Sequence, residues 1–253
     1  MAGVTVGLLH PGEMGAALGA ALRARGHRVL WVSADRSDAT AARATAAELE
    51  DVASTGELVR RSELILSVCP PHAAAAVAES VGDFDGIFVD ANAIAPATTQ
   101  KLGAGLARYV DGGVIGPPPR SSGTTRLYLS GPEASFVAEL FAGTAVDARV
   151  LSPTIGDASA LKMVYAAWTK GTAALLLAIR EVAAANGVDD ALLDEWRVSL
   201  PELAAQSLRA GKSATAKGWR WVAEMEEIAD TFAAAGQPDG FHRAAAEVFR
   251  RAN

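Results

Sequence analysis

The chain has a single cysteine, Cys69, among 253 residues. One thiol excludes an intrachain disulfide framework and any multi-cysteine metal site, so no metal is expected. Basic blocks and interleaved aromatic and basic residues are also missing, and the net charge is −6. Nucleic acid is therefore not an expected partner. No charge-free apolar run approaches the roughly 20 residues of a membrane span. Leu64 to Ala78 comes nearest, and Pro70, Pro71 and His72 interrupt it. The N-terminus shows neither a basic leader region nor a cleavage site, so a cytoplasmic protein without a secretory signal is expected. Internal repeats and low-complexity linkers are lacking too. What is present is apolar: 50% of residues are hydrophobic and 21% are charged. Such a chain can bury a sizeable core, in one large domain or two ordinary ones.

Up to about residue 150, short apolar runs alternate with helical patterns. Strands are expected at Thr5–Leu9, Arg28–Ser33, Leu64–Val68 and Gly86–Asp90, and weaker ones at Tyr109–Val114, Leu127–Ser130 and Arg149–Leu151. Helices are expected between them at Met14–Arg25, Ala39–Leu49, Ala73–Val81, Pro96–Ala107 and Glu133–Phe141. This alternation predicts an α/β fold, a doubly wound and mostly parallel sheet of Rossmann type. After Pro153 no convincing strand remains. Asp157 to Asn186 reads as one long helix, with Asp157 as N-cap and Gly187 as C-cap, followed by helices at Asp189–Arg197, Pro201–Ala210, Lys217–Ala235 and Gly240–Arg251. The expected division is a dinucleotide-binding domain over 1–155 and an all-helical domain over 156–253.

The segment His10-Pro11-Gly12-Glu13-Met14-Gly15 follows the first strand and opens the first helix. A strand, a tight turn and a helix N-terminus form the local pattern that holds a dinucleotide's pyrophosphate on free N–H groups. The usual G-x-G-x-x-G begins here with histidine, and glycines in such a turn can also serve the turn alone. The end of the second strand selects the dinucleotide. Ser33, Arg36 and Ser37 stand where an acidic residue would favour NAD, so NADP (NADPH) is expected and NAD is the lesser expectation. Asp35 and Arg36 can alternatively be a solvated loop pair.

Three further loops fall at carboxyl ends of strands, where open sheets bind ligands. The first is Val68-Cys69-Pro70, with Cys69 read as a small packed residue and His72 as a loop or first-turn residue. The second is Asp90 to Pro96, in which Asn92 either acts in the site or caps a helix beginning near Pro96. The third is Gly112 to Arg120. On the long helix, Lys162, Tyr165 and Thr169 share one side by their spacing. A lysine buried there would lose solvation and titrate nearer neutrality, which suits acid–base catalysis; a snorkelling lysine is the alternative.

Together these segments resemble the β-hydroxyacid dehydrogenase superfamily, which includes 6-phosphogluconate dehydrogenase, 3-hydroxyisobutyrate dehydrogenase and the imine reductases. The family's V-D-x-S-T-x-x-P segment is matched by Val89 to Pro96, its D-x-x-V-x-G-G by Asp111 to Pro117, and its G-x-x-x-x-x-K by Gly156 to Lys162. Tyr165 to Gly171 and Arg220 to Ile228 resemble a phosphogluconate-dehydrogenase-like branch with a C-terminal domain of unknown function. The resemblance implies cofactor contacts at His10, Pro11, Gly12, Glu13, Met14, Gly15, Ser33, Arg36, Ser37, Val68, Cys69, Pro70 and Asn92. It implies substrate contacts at Ile94, Ile115, Gly116, Pro117, Thr169 and Trp221, and a catalytic group of Lys162, Asn92 and Tyr165. Its members dimerise through their C-terminal helices, which implies a homodimer here. Three positions depart from the pattern: Asn92-Ala93 replaces Ser-Thr, Ile115-Gly116-Pro117 replaces Ser-Gly-Gly, and Ala166 replaces the Asn four residues after the lysine. A carboxylate held by that Ser would lose its partner at Ile115. A small substrate other than 6-phosphogluconate or a simple 3-hydroxy acid is therefore expected. Trp168, Trp219 and Trp221 either wall an apolar pocket or form a core cluster. The implied activity is hydride transfer between NADP and a hydroxyl or carbonyl carbon, with Lys162 as general acid or base. Two alternatives stand beside it: an imine reductase-like enzyme, although those place Asp or Tyr at the Lys162 position, and an NADP-binding protein without turnover.

Overall fold

A computed structural model describes residues 3–252; the outermost ends of the two expected domains, residues 1–2 and 253, lie outside them. The chain divides into two compact units, Met1–Lys162 and Met163–Asn253.

The first unit is a single eight-stranded sheet. Its strands are β1 (Thr5–Leu9), β2 (Arg28–Val32), β3 (Glu50–Val52), β4 (Leu64–Ser67), β5 (Ile87–Asp90), β6 (Tyr109–Ile115), β7 (Thr125–Ser130) and β8 (Val146–Ser152). Their order across the sheet is β3-β2-β1-β4-β5-β6-β7-β8. The first six run parallel, β7 pairs antiparallel with β6, and β8 runs parallel to β7. The chain reverses its winding between β1 and β4. In a doubly wound sheet that reversal opens a crevice at the carboxyl ends of the two strands.

Helices cover both faces. On one face, α1 (Glu13–Ala24), α2 (Asp38–Ala46) and α6 (Ala134–Leu140) bury Leu18, Leu22, Ala44, Val137 and Leu140 against Val6, Leu8, Val29 and Leu129. On the other, α3 (Thr55–Arg61), a 3-10 turn (Pro71–Ala73), α4 (Ala74–Glu79) and α5 (Pro96–Gly103) cover Leu30, Ile65 and Phe88 with Leu58, Val77 and Ala78. Four-residue strands such as Leu64-Ile65-Leu66-Ser67 are buried throughout, as expected for a parallel sheet covered on both sides.

Two elements of the first unit were not expected from sequence. β3 carries Glu50 and Asp51 and so lacks a strand-like composition. Arg28 binds the two Glu50 oxygens at 2.6 and 2.8 Å, Arg61 reaches the same carboxylate at 2.6 Å, and only Val52 is buried. α3 is a seven-residue helix nucleated by its caps: Ser54 Oγ accepts the Glu57 N–H at 3.2 Å, and Glu57 accepts the Ala53 N–H at 3.2 Å.

α7 (Asp157–Ala185) begins in the first unit and continues into the second. The second unit is helical, adding α8 (Asp189–Ser199), α9 (Leu203–Ala234) and α10 (Gly240–Arg251). The two helices expected at Pro201–Ala210 and Lys217–Ala235 are one 32-residue helix. Gly211 and Gly218 do not break it, because small residues at 207, 210, 214 and 218 form a buried stripe one side of the helix wide. Gly187 ends α7 at φ 70°, with the Val188 N–H returning to the Ala183 carbonyl at 2.9 Å.

Candidate functional site

The turn from β1 into α1 stands at the crevice. His10 takes φ 70°, a left-handed backbone that glycine adopts most freely. Its carbonyl accepts the Gly12 N–H at 2.8 Å. Gly15 must be glycine, since a Cβ there would lie 2.6 Å from the same carbonyl. A Cβ on Gly12 would meet nothing within 4 Å, so the turn is open at the point where a pyrophosphate approaches in dinucleotide folds. No side chain caps the α1 N-terminus. Its first N–H groups remain available to an anion. These features fit a dinucleotide.

At the end of β2, the Ser33 N–H donates to Asp51 Oδ1 at 3.0 Å. Ser37 is the N-cap of α2 and accepts the Thr40 N–H at 3.3 Å. Arg36 is exposed, and among the described residues its guanidinium makes no hydrogen bond or ion pair. It acts electrostatically on both His10 and Cys69. Burial and then Arg36 push the His10 imidazole down to about 4. Arg43 was not singled out by the sequence; it donates to the Pro11 carbonyl at 3.4 Å and to Thr40 Oγ1 at 2.9 Å, tying α2 to the turn. Its i, i+3 spacing from Thr40 was the available signal. Glu13, Arg43, Pro118 and Arg120 line a groove of about 230 Å³ along the alanines of α1 and α2.

Asn92 settles one alternative. The N-cap of α5 is Ala95, without a side-chain bond, so Asn92 does not cap that helix. It is buried, its Oδ1 accepts the Cys69 N–H at 2.6 Å, and its Nδ2 donates to Ser67 Oγ at 3.1 Å. It thereby fixes the loop after β4 to the loop after β5. Cys69 is half-buried, and burial followed by Asp90 pushes its thiol up to about 12. That thiol is no nucleophile. His72 lies in the 3-10 turn, as a first-turn residue would.

Below Asn92 two buried carboxylates sit opposite each other on adjacent strands, Asp90 on β5 and Asp111 on β6. Asp90 Oδ1 accepts the Asn92 N–H at 2.9 Å. Its Oδ2 lies beside the Tyr109 hydroxyl without good hydrogen-bond geometry. Burial pushes Asp90 up to about 7, and Asp111 adds to the rise. Burial, Asp90 and Asp111 raise the Tyr109 phenol likewise. Asp111 gathers more donors. Its Oδ2 accepts from Ser130 Oγ at 2.9 Å, the Gly156 N–H at 3.0 Å and the Ser159 N–H at 2.9 Å, and its Oδ1 accepts from Ser159 Oγ at 2.7 Å. Ser130 Oγ also accepts the Ala158 N–H at 3.0 Å. Asp111 therefore performs the capping that sequence assigned to Asp157, which is the first helical residue and accepts from Ser152 Oγ at 2.6 Å. Sequence reasoning did not give Asp111 this role, although a lone acid in an apolar strand was the signal. Gly113 completes the seat of α7: a Cβ there would lie 2.7 Å from the Ala158 carbonyl and 3.1 Å from Lys162 Cβ. Lys162 thus crosses β6 at close range, one turn from the Asp111 anchor.

The remaining candidates divide by environment. Ile94 and Ile115 are enclosed, at 0% and 4% exposure, while Gly116 and Pro117 are exposed. In the helical unit, Tyr165 and Thr169 are exposed. Trp221 packs edge-on to Phe249, with Lys170 5.9 Å over its ring. Trp168 and Trp219 are exposed, so the three tryptophans form no core cluster. Among the described residues no group of three or more His, Cys, Asp or Glu is arranged to hold a metal ion, and no helix is long and apolar enough to cross a membrane.

Comparison with known proteins follows the same division. Residues 5–93 match the family "NADP oxidoreductase coenzyme F420-dependent", and residues 183–252 match "Domain of unknown function (DUF1932)". An uncharacterised 28.5 kDa protein of Methanothermus fervidus is 32% identical over 54% of this chain, and the chain spans about half (55%) of that relative's length. A conserved protein of unknown function, described as structurally similar to 3-hydroxyacid dehydrogenases, superposes with a TM-score of 0.69 at 25% identity, covering 98% of this chain and 96% of that one. The 3-hydroxyisobutyrate dehydrogenase of Salmonella typhimurium shares the fold with a TM-score of 0.72 at 19% identity, over 98% and 93% of the two chains. The chain thus carries an N-terminal region of the NADP-oxidoreductase type and a C-terminal DUF1932 region, on a fold shared with 3-hydroxyacid dehydrogenase-like proteins.

Proposed function

We propose that the chain is an NADP-dependent oxidoreductase acting on a hydroxyl or carbonyl carbon of a small substrate. The observation that carries this reading is the crevice between β1 and β4, where an open glycine turn, an uncapped helix N-terminus and the unpaired Arg36 meet. Bound there, NADP would supply or accept the hydride. The turn His10–Gly15 would hold the pyrophosphate, and Arg36 with Ser33 would hold the 2′-phosphate. Ser37 contributes chiefly as the cap that orients α2. Asn92 keeps the loops after β4 and β5 in register beside the nicotinamide half. Lys162, seated on β6 through Gly113, would give a proton to the substrate oxygen in reduction and take it in oxidation. Residues 1–155 are the dinucleotide domain in this reading, and 156–253 are the helical substrate and dimerisation domain. The exposed Trp168, Leu175, Val182, Leu208 and Phe241 on the helical unit support self-association.

The test is a fluorescence titration with NADPH and NADH. Wild type should bind NADPH more tightly, and Arg36→Ala should weaken NADPH much more than NADH. Equal weakening refutes the 2′-phosphate assignment. Lys162→Ala should then lose turnover on a panel of carbonyls, imines and alcohols while keeping its NADPH affinity. Tight NADPH binding without turnover on any of them would leave a binding protein rather than an enzyme.

A further inference from the structure

His10 stands where the local backbone rule asks for glycine. The left-handed φ of 70° is enforced from three sides: by β1 before it, by the Gly12 N–H on its carbonyl, and by Gly15 pressed against that carbonyl. Glycine would satisfy all three without strain. Within the folded chain the imidazole returns little. Its Nδ1 is enclosed near the Leu9 carbonyl without a hydrogen bond of good geometry, and among the described residues Nε2 makes none. The ring is half-buried and uncharged at neutral pH, and the unpaired Arg36 lies close enough to act on it. An uncharged ring with its proton on the Leu9 side presents Nε2 as an acceptor at the mouth of the crevice. Arg36 supplies only donors there, so the two side chains offer complementary chemistry to one ligand.

We propose that His10 is a cofactor-binding residue whose Nε2 accepts a hydrogen bond from the remaining ribose hydroxyl in the adenosine half of the dinucleotide, next to the phosphate held by Arg36. This rests on the dinucleotide reading above. The strained backbone is then retained for ligand recognition, as strained residues at functional sites commonly are.

His10→Gly and His10→Asn test it, Asn being the side chain that best tolerates the same backbone. Binding is measured with NADPH and with 2′-phospho-ADP-ribose, which lacks the nicotinamide, alongside thermal unfolding. His10→Gly should weaken both ligands about tenfold without lowering the apparent Tm, and His10→Asn should weaken both by less. Two results overturn the proposal: wild-type affinity in both variants, or a loss confined to NADPH, which would move the contact to the nicotinamide half. If wild type binds neither ligand, the dinucleotide reading fails and takes this inference with it.

Discussion

Replacing Asp111 with alanine is the most demanding test of how α7 is held. The carboxylate is 1% exposed and accepts four hydrogen bonds. Two of the donors are hydroxyls that can turn to other partners: Ser159 Oγ already lies 2.8 Å from Thr99 Oγ1, and Ser130 Oγ still accepts from Ala158. The Gly156 and Ser159 N–H groups have no such freedom. Each buried donor left without an acceptor costs about 1–3 kcal/mol. Part of that is recovered by water entering the vacated space and by removing a buried charge. A net loss of about 3 kcal/mol follows, which for a chain of this size is about 6–12 °C in apparent Tm. Thermal unfolding measures the total, and amide exchange at Gly156 and Ser159 locates it. Ser130→Ala is the control, with an expected loss of about 1 kcal/mol. A loss below about 1 kcal/mol in Asp111→Ala, with exchange unchanged at those two amides, would refute the anchoring argument.

Two other perturbations probe the neighbours of that anchor. Gly113→Ala adds a methyl group 2.7 Å from the Ala158 carbonyl and 3.1 Å from Lys162 Cβ; it should cost about 1–3 kcal/mol by overpacking and reduce kcat while the NADPH Kd stays within about twofold, and full turnover would show that the seat of Lys162 is not constrained. Asp90 has its folded pKa raised from 3.8 to about 7 by burial. Between those values the folded chain binds the extra proton, so this group's contribution falls as pH rises through the window and is fully present below it. The exposed paired carboxylates Glu50, Asp147 and Asp239 are shifted down and act in the opposite sense at lower pH. The Tm of Asp90→Asn relative to wild type should therefore rise between pH 5 and pH 8, and a difference independent of pH would refute the assignment.

The sheet was legible because its central strands are continuous apolar runs, and the long helix because its pattern ends in a glycine. β3 was not, since Glu50 and Asp51 join the sheet through Arg28 and Arg61, partners 22 and 11 residues away. α3 left a readable signal in Ser54 and Glu57, a capping pair three residues apart. The Rossmann turn was visible from spacing alone, but not the left-handed conformation forced on His10, which depends on Gly15 meeting its carbonyl. Asn92 was ambiguous because a polar residue four before a proline is consistent with a cap. Only the position of Ser67 at the end of the neighbouring strand, and of Cys69 in the loop that follows it, reveals what its amide binds. Arg43 and Asp111 act through contacts 32 and 45 residues distant in sequence, which no local pattern encodes.

The contrast between Asp90 and Asp111 follows from register. Pairing of β5 with β6 sets the two carboxylates opposite each other in a region from which water is excluded. Two adjacent buried charges repel, and the one with fewer donors yields its proton last. Asp111 faces the start of α7, where unpaired N–H groups and the positive end of a 29-residue helix favour an anion. It collects four hydrogen bonds. Asp90 faces Asn92 and receives one good hydrogen bond. It is left to titrate near neutrality beneath the loop that Asn92 holds. The same pairing that anchors α7, and with it the backbone of Lys162, thus puts a proton-holding carboxyl under the Asn92 loop. The coupling has a direction: neutralising Asp111 should lower the pKa of Asp90, while neutralising Asp90 leaves the four hydrogen bonds of Asp111 in place.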